Sequence, residues 1–126
     1  MSFAHVDSSV LVAIAFTEPG ATALYARLRE FSEVTASILV EAELLSVCRR
    51  EGRAIDQALL DELKWIHPSR PLGDEISRVL RAGYVRGADC FHLATALYIA
   101  ADPGQVTFLT LDKRQREVAQ ALGFET

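Results

Sequence analysis

The sequence has only two cysteines, Cys48 and Cys90, and the spacing of its three histidines is not that of a zinc site. Each cysteine falls inside a predicted helix, and the pair has no metal-ligand spacing either. Cysteines of this kind are typical of buried free thiols in a reducing compartment. The chain is therefore not expected to depend on a disulfide or on zinc.

A surplus of positive charge is also missing, and so is any long apolar segment. The net charge is −4, which argues against a general polyanion binder but not against an enzyme with a local acidic site. No apolar stretch approaches bilayer-spanning length, and the start of the chain lacks the pattern of a signal peptide. We therefore expect a cytoplasmic protein without a membrane partner.

What the chain does contain is an alternation of strand and helix patterns. Its 126 residues are half hydrophobic, enough for one domain, residues 1–126, with a real core. Strands are predicted at 3–6, 34–36 and 106–110, with a brief strand near 65–67 and an edge strand at 124–125. Helices are predicted at 10–16, 21–31, 38–51, 55–65, 74–82, 88–101 and 113–122. This order predicts a three-layer α/β domain with a mostly parallel sheet.

Acidic residues stand at one edge of that predicted sheet. Asp7 ends the first strand and Asp112 follows the 106–110 strand, and the carboxyl ends of parallel strands meet at one edge. Asp89 begins the helix that leads into the later strand, so its end of the helix faces the same edge. Glu43 lies in the helix after the second strand, although periodicity alone does not separate it from Glu41.

Each aspartate also has a plain structural role open to it. Asp7, Asp89 and Asp112 stand where helices start, and a carboxylate there caps free N–H groups. Taken singly, capping is the better interpretation of each. Together, carboxylates in one pocket repel by about 4 kcal/mol per pair at about 4 Å, so a proton or a cation must neutralise them. Hard oxygen ligands favour Mg²⁺ or Mn²⁺, which suits phosphoryl chemistry.

Four segments carry a resemblance to a known family. They are Asp7-Ser8-Ser9, Glu43-Leu44-Leu45, the run from Asp89 to Ala96 (DCFHLATA) and Leu109-Thr110-Leu111-Asp112. The set resembles the signature segments of PIN-domain ribonucleases, and its length and order resemble the VapC-type toxins of type II toxin–antitoxin pairs. The resemblance covers nearly the whole chain. It implies a PIN-like α/β/α fold with a five-stranded sheet in the order 3-2-1-4-5.

The resemblance also implies an acidic site made of Asp7, Glu43, Asp89 and Asp112. Asp7 and Asp89 would be direct metal ligands, and Glu43 and Asp112 would complete the shell, hold metal-bound water or bind a second ion. The family's acid in the mid-chain helix typically precedes an aliphatic residue, which favours Glu43 over Glu41. The cofactor implied is Mg²⁺ or Mn²⁺.

Supporting roles follow from the same resemblance. Ser9 and Thr110 match family hydroxyls that orient the acids, and helix capping is an equally good and compatible role for them. His92 lies one turn after Asp89 and resembles a family position, but we interpret it as a packed core histidine. Separately from the resemblance, the arginines grouped along the chain would hold the RNA backbone, although a solvated helix face is the better interpretation of any single one. Arg86, close before Asp89, is the first to test as a substrate-binding residue.

The expected function is metal-dependent endoribonuclease, with tRNA or rRNA as substrate. The resemblance further implies a small antitoxin partner and a homodimer. One alternative is a PIN-like binding module without cleavage, which the presence of all four acids disfavours. Another is a phosphotransfer domain. A haloacid-dehalogenase-like phosphatase needs a second Asp where this chain has Ser9, and a response-regulator receiver needs an acceptor Asp that is absent.

Overall fold

The computed structural model describes residues 1–126 as a parallel sheet flanked by seven helices. The strands are β1 (Phe3–Val6), β2 (Glu33–Ser37), β3 (Leu63–Ile66) and β4 (Val106–Leu109). The helices are α1 (Ser8–Ala15), α2 (Ala21–Leu28), α3 (Ile38–Arg50), α4 (Gln57–Asp61), α5 (Gly73–Ala82), α6 (Gly87–Ile99) and α7 (Lys113–Leu122). All neighbouring strands are parallel, in the order β3-β2-β1-β4, which confirms the predicted α/β class.

The strand order places a switch point between β1 and β4. The chain moves outward from β1 through β2 to β3 and then crosses back to the other side of β1. Because parallel crossovers are right-handed, this reversal puts the later helices on the opposite face of the sheet. In such sheets a crevice opens at the carboxyl ends of the two strands that flank the switch. Asp7 and Thr110 directly follow those two strands.

Two hydrophobic cores, one on each face, make the third layer necessary. Ala4 and Val6 of β1 pack with Leu44 of α3, and α1 contributes to the same core. On the other face, Val106 and Phe108 of β4 pack with residues of α5, α6 and α7. Alternate side chains of a strand point to opposite faces, so β1 and β4 contribute to both cores.

The predicted fifth strand is wrong as a strand. Around residues 124–125 the chain makes one isolated parallel bridge, between Thr107 and Glu125. Glu125 accepts a hydrogen bond from Phe108 N (2.7 Å) and donates one to Val106 O (3.1 Å). Gly123 ends α7 immediately before, in the left-handed region at φ +101°, which leaves one residue to pair with β4. The position is that of the expected fifth strand, but the sheet has four.

The predicted helix over 55–65 is largely wrong. Helix α4 covers only Gln57–Asp61, and the residues from Leu63 onward form β3. Leu63 and Trp65 are two residues apart, and both pack against the core that contains Leu44. A period of two therefore fits them as well as a helical period does. Pairing with β2, from Val34↔Leu63 to Ser37↔Ile66, decides the outcome. The brief strand predicted near 65–67 therefore exists, slightly earlier in the chain.

Two smaller expectations can be compared with the structure directly. Cys48 and Cys90 are both buried and unpaired, as the sequence predicted. Every helix falls short of the length and apolar character that crossing a lipid bilayer requires.

Candidate active site

A backbone hydrogen bond holds Asp7 at the switch point between β1 and β4. Its N–H donates to the carbonyl of Leu109 (3.1 Å), which carries the pairing of β1 and β4 one residue beyond the strands. The side chain is nearly inaccessible, with 2% of the residue exposed. The fold therefore places a buried carboxyl group where the crevice begins.

The carboxylate of Asp7 is held by two hydroxyl groups. Ser9 Oγ donates to Oδ1 (2.6 Å), and Thr110 Oγ1 donates to Oδ2 (2.5 Å). Asp7 stands at the N-cap of α1 but makes no capping hydrogen bond of good geometry there, although the nearby N–H of Val10 in the first turn helps to lower its pKa. Ser9 and Thr110 instead stand in the orienting contacts that the family resemblance implied.

Asp112 does cap its helix, as the structural interpretation predicted. Its Oδ1 accepts the backbone N–H of Gln115 (2.9 Å) at the start of α7. Thr110 fixes the turn before it, because Thr110 Oγ1 also accepts the N–H of Asp112 (3.0 Å). Asp112 is exposed, which leaves its carboxylate available beyond the cap.

Gln115 is a buried part of the site that the sequence analysis missed. It is fully buried, and its Nε2 donates to the backbone carbonyl of Asp89 (3.2 Å), which ties α7 to the first turn of α6. Its Oε1 lies 3.3 Å from Thr110 Oγ1, whose single proton is closer to Asp7. A Gln three residues after a capping Asp is the spacing of a capping box, and that spacing was the available signal.

Glu43 is held by a buried histidine. Ser37 Oγ accepts the N–H of Val40 (3.3 Å), so its proton is free to go to His92 Nδ1, 2.7 Å away. His92 then carries its own proton on Nε2, which lies 2.7 Å from Glu43 Oε1. His92 is fully buried and satisfied, as a core histidine should be, but it also orients a candidate catalytic acid. Glu41 makes no side-chain hydrogen bond or ion pair.

The acids influence one another electrostatically. Burial raises the pKa of Asp89, and the negative charges of Asp112, Asp7 and Glu43 raise it further. Burial also raises the pKa of Asp7, against the hydrogen bonds from Ser9 and Thr110 that lower it. The fold thus brings all four acids into one electrostatic neighbourhood, in which the ionised forms of Asp7 and Asp89 are disfavoured without a counter-charge.

The arrangement of these acids suits a divalent cation that keeps part of its water shell better than a cation fully enclosed by protein ligands. No three of them converge closely enough to form a ready-made metal centre. Mg²⁺ usually keeps several waters and binds through one or two carboxylates, which an open cluster of hard oxygens allows. His92 cannot serve as a soft ligand here, since both of its ring nitrogens are already hydrogen-bonded.

A cavity of about 340 Å³ opens beside the acids. It is lined by Tyr84, Val85, Arg86, Asp89, Asp112 and Arg114. Arg86 is exposed and its side chain makes no hydrogen bond or ion pair within the protein, so its guanidinium is free for a ligand. A larger cavity of about 440 Å³ is lined by residues of all four strands and of the end of α6, and it contains none of the four acids. The smaller, charged cavity is therefore the candidate substrate site.

We expect the stability of the metal-free protein to depend on pH because the ionised carboxylate of Asp7 is unfavourable when buried. Its pKa is raised above the ordinary value of 3.8, so the folded state binds this proton more tightly than the unfolded state. The resulting stabilisation is fully present below pH 3.8 and is lost as pH rises through the folded-state pKa. Relative to Asp7→Asn, the wild type should therefore lose stability with rising pH, measured by urea unfolding in EDTA.

The comparison with Asp7→Asn cancels ionisable groups elsewhere, including His5, whose pKa burial lowers to about 3, and Glu75. Arg70 lowers the pKa of Glu75 to about 2, and that exposed pair acts with the opposite sign in both proteins. A stability difference between the two proteins that stays constant from about pH 4 to about pH 7 would contradict the expectation.

Two comparisons with known proteins bear on this site. The sequence profile of the PIN domain matches residues 4–121. Ribonuclease VapC46 of Mycobacterium tuberculosis (strain ATCC 25618 / H37Rv) is 30% identical, over 98% of this chain and 95% of the relative. The profile match spans the positions of Asp7, Glu43, Asp89 and Asp112.

Proposed function

The chain belongs to the PIN domain family, among its VapC-type members, and from that premise we propose that it is a metal-dependent endoribonuclease, the toxin of a toxin–antitoxin pair. The observation that carries the proposal is the buried carboxylate of Asp7, held by Ser9 and Thr110 at the switch point. Burying an acid near Asp89 in this way costs the folded state stability, and acids with a perturbed pKa are typical of catalytic sites.

The proposed cofactor is Mg²⁺ or Mn²⁺. Asp7 and Asp89 would hold the ion, and Glu43 and Asp112 would complete its surroundings or hold its waters. When bound, such an ion lowers the pKa of a coordinated water and stabilises negative charge on the phosphate oxygens. It would also neutralise the repulsion that raises the pKa of Asp89.

The protein's own groups would position the reactants. His92 occupies Oε1 of Glu43, which leaves Oε2 to accept a hydrogen bond from the attacking water. The guanidinium of Arg86 lines the same cavity as Asp89 and Asp112 and would hold a backbone phosphate there. Orientation of this kind lowers the barrier because the reactants no longer need to be brought together.

The proposed substrate is an unpaired region of tRNA or rRNA. The name of the similar ribonuclease supports RNA, and exposed single strands can enter a cavity that a stacked duplex cannot. The proposed partners are a small antitoxin, which would cover the acids or place a basic side chain among them, and a second copy of the chain. The proposed location is the cytoplasm.

Incubation of the purified, antitoxin-free protein with a pool of total tRNA and rRNA tests the proposal. Lanes with Mg²⁺, Mn²⁺ and EDTA should be run beside Asp7→Asn, which removes the buried charge. Discrete fragments that disappear with EDTA and with the variant are expected, and their ends identify the substrate. A folded wild type that cleaves nothing with either ion would favour the binding-module alternative.

A matched pair of variants tests the choice of the mid-helix acid. Glu43→Gln removes the charge that faces His92, whereas Glu41→Gln removes a charge two residues away on the same helix. Cleavage should fall only in the first variant. An equal loss in both would show that the helix needs negative charge but that neither acid has a specific position.

A further inference from the structure

We infer that Tyr84 is a stacking platform for one unpaired nucleobase adjacent to the scissile phosphate; the inference rests on the proposed ribonuclease function. Tyr84 is 73% exposed. Its ring forms no aromatic pair and no cation–π pair, and its hydroxyl makes no hydrogen bond. An unpartnered tyrosine ring in such a position has a whole π-face available to a ligand.

Tyr84 lines the cavity that holds the candidate chemistry, and it also lines a neighbouring, mostly apolar cavity of about 360 Å³. Tyr84 lines the same 340 Å³ cavity as Asp89 and Asp112. Arg86 and Arg114 line it as well, so the cavity combines acids, cations and an aromatic surface. Single-stranded nucleic acid is bound by this combination, in which cations follow the backbone and aromatic rings stack on bases.

The backbone that carries Tyr84 is fixed from the side of α7. Arg114 Nε donates to the carbonyl of Tyr84 (3.0 Å). The preceding residue, Gly83, ends α5 so close to α7 that an added Cβ would lie 2.9 Å from Val118 Cγ2. Tyr84 is therefore an exposed side chain on a backbone that α7 holds in place, so a base that stacks on the ring does not have to order the backbone as well.

The geometry also indicates which RNA can use the subsite. Arg86 and Tyr84 are two residues apart, so a phosphate on the guanidinium and a base on the ring belong to neighbouring positions of one strand. Bases inside a duplex are already stacked on both faces and cannot reach the ring. Stacking tolerates any base, so this subsite selects for unpaired RNA rather than for one nucleotide.

The test uses the metal-loaded wild type, Tyr84→Ala and Tyr84→Phe on a short RNA that contains the mapped cleavage site. Loss of stacking should lower kcat/KM of Tyr84→Ala by roughly 10- to 100-fold, mostly through KM. Tyr84→Phe keeps the ring and should stay within about twofold of the wild type. Circular dichroism of the three proteins verifies that the fold is unchanged.

A second substrate distinguishes stacking from a structural effect. Abasic sites placed in turn beside the scissile phosphate should identify one position that costs the wild type as much as Tyr84→Ala does. At that position Tyr84→Ala should lose nothing more, because the contact is already absent. Losses that simply multiply, or a Tyr84→Ala protein that cleaves like the wild type, would overturn the subsite alone. A wild type without any cleavage would overturn the proposed function and the subsite with it.

Discussion

Replacing Asp89 by asparagine is expected to remove RNA cleavage while leaving the metal-free fold at least as stable as before. Cleavage should fall on the order of 100-fold or more, because an acid that would hold the ion loses its charge. Stability should not fall, since burial and the charges of Asp112, Asp7 and Glu43 already disfavour the ionised carboxyl. After solvent screening, we expect a gain of up to about 1 kcal/mol in EDTA, measured by urea unfolding.

A second aspartate controls for the position of Asp89 in its helix. Asp89 lies in the first turn of α6, where its charge also complements the helix dipole. Asp74 lies in the first turn of α5, is exposed and stands outside the acidic site. Asp74→Asn should therefore cost about 0.3–1 kcal/mol and leave cleavage intact. If Asp89→Asn destabilises the metal-free protein as much as Asp74→Asn does, repulsion within the site is negligible.

Added Mg²⁺ should reverse the order of stabilities. A ligand that binds only the folded state stabilises it in proportion to RT ln(1 + [L]/Kd). The wild type should gain from millimolar Mg²⁺, and Asp89→Asn should gain much less. A gain of equal size in both proteins would mean that the ion binds away from Asp89.

The edge of the sheet that carries the site could be predicted because it depends on topology alone. Asp7 and Asp112 each follow a buried strand, and parallel strands present their carboxyl ends together. The prediction that the hydroxyls of Ser9 and Thr110 orient the acids came from the resemblance of short segments to a family. None of these predictions required side-chain packing, which explains why they could be made from a single sequence.

Contacts between distant helices could not be predicted in the same way. His92 has the burial of a core residue, and only the packing of α6 on α3 brings its Nε2 to Glu43. Gln115 resembles an ordinary residue of a helix first turn until α7 is seen to lie against Asp89. Periodicity describes one element at a time, whereas these contacts depend on how two helices are placed relative to each other.

The predicted helix over 55–65 and the predicted strand at 124–125 were wrong because periodicity does not include the neighbouring elements. Leu63 fits a helical period with Leu59 and an alternating period with Trp65, and the neighbouring strand β2 decides between them. At 124–125 a buried residue alternates with an exposed one, as in a strand, but the segment is too short to form one. Helix α7 is capped by Gly123, only two residues before the bridge at Glu125. At Leu63 a tertiary contact therefore outweighs the local preference, whereas at 124–125 the nearby end of α7 limits the strand.

The second large effect is expected from Thr110→Val, which keeps the shape of the side chain and removes its hydroxyl. Asp7 Oδ2 would lose its donor at 2.5 Å, and the N–H of Asp112 would lose its acceptor at 3.0 Å. A lost hydrogen bond to a buried charge costs about 1.5–3 kcal/mol, so the free energy of unfolding at pH 7 should fall by roughly 2–3 kcal/mol. Thr110→Ser, which keeps the hydroxyl, should cost only about 1 kcal/mol for the lost methyl group.

A double-mutant cycle with Asp7→Asn decides what the Thr110 hydroxyl is for. If its main task is to hold the charge of Asp7, Thr110→Val should cost at least about 1 kcal/mol less in the Asp7→Asn background. If its task is to fix the turn before α7, through Asp112 N, the cost should be the same in both backgrounds. The first result would mean that the protein retains a hydroxyl group to keep a buried acid ionised. A fold has reason to do so only if that acid acts on something outside the protein, and the three other carboxylates of the candidate site indicate a cation.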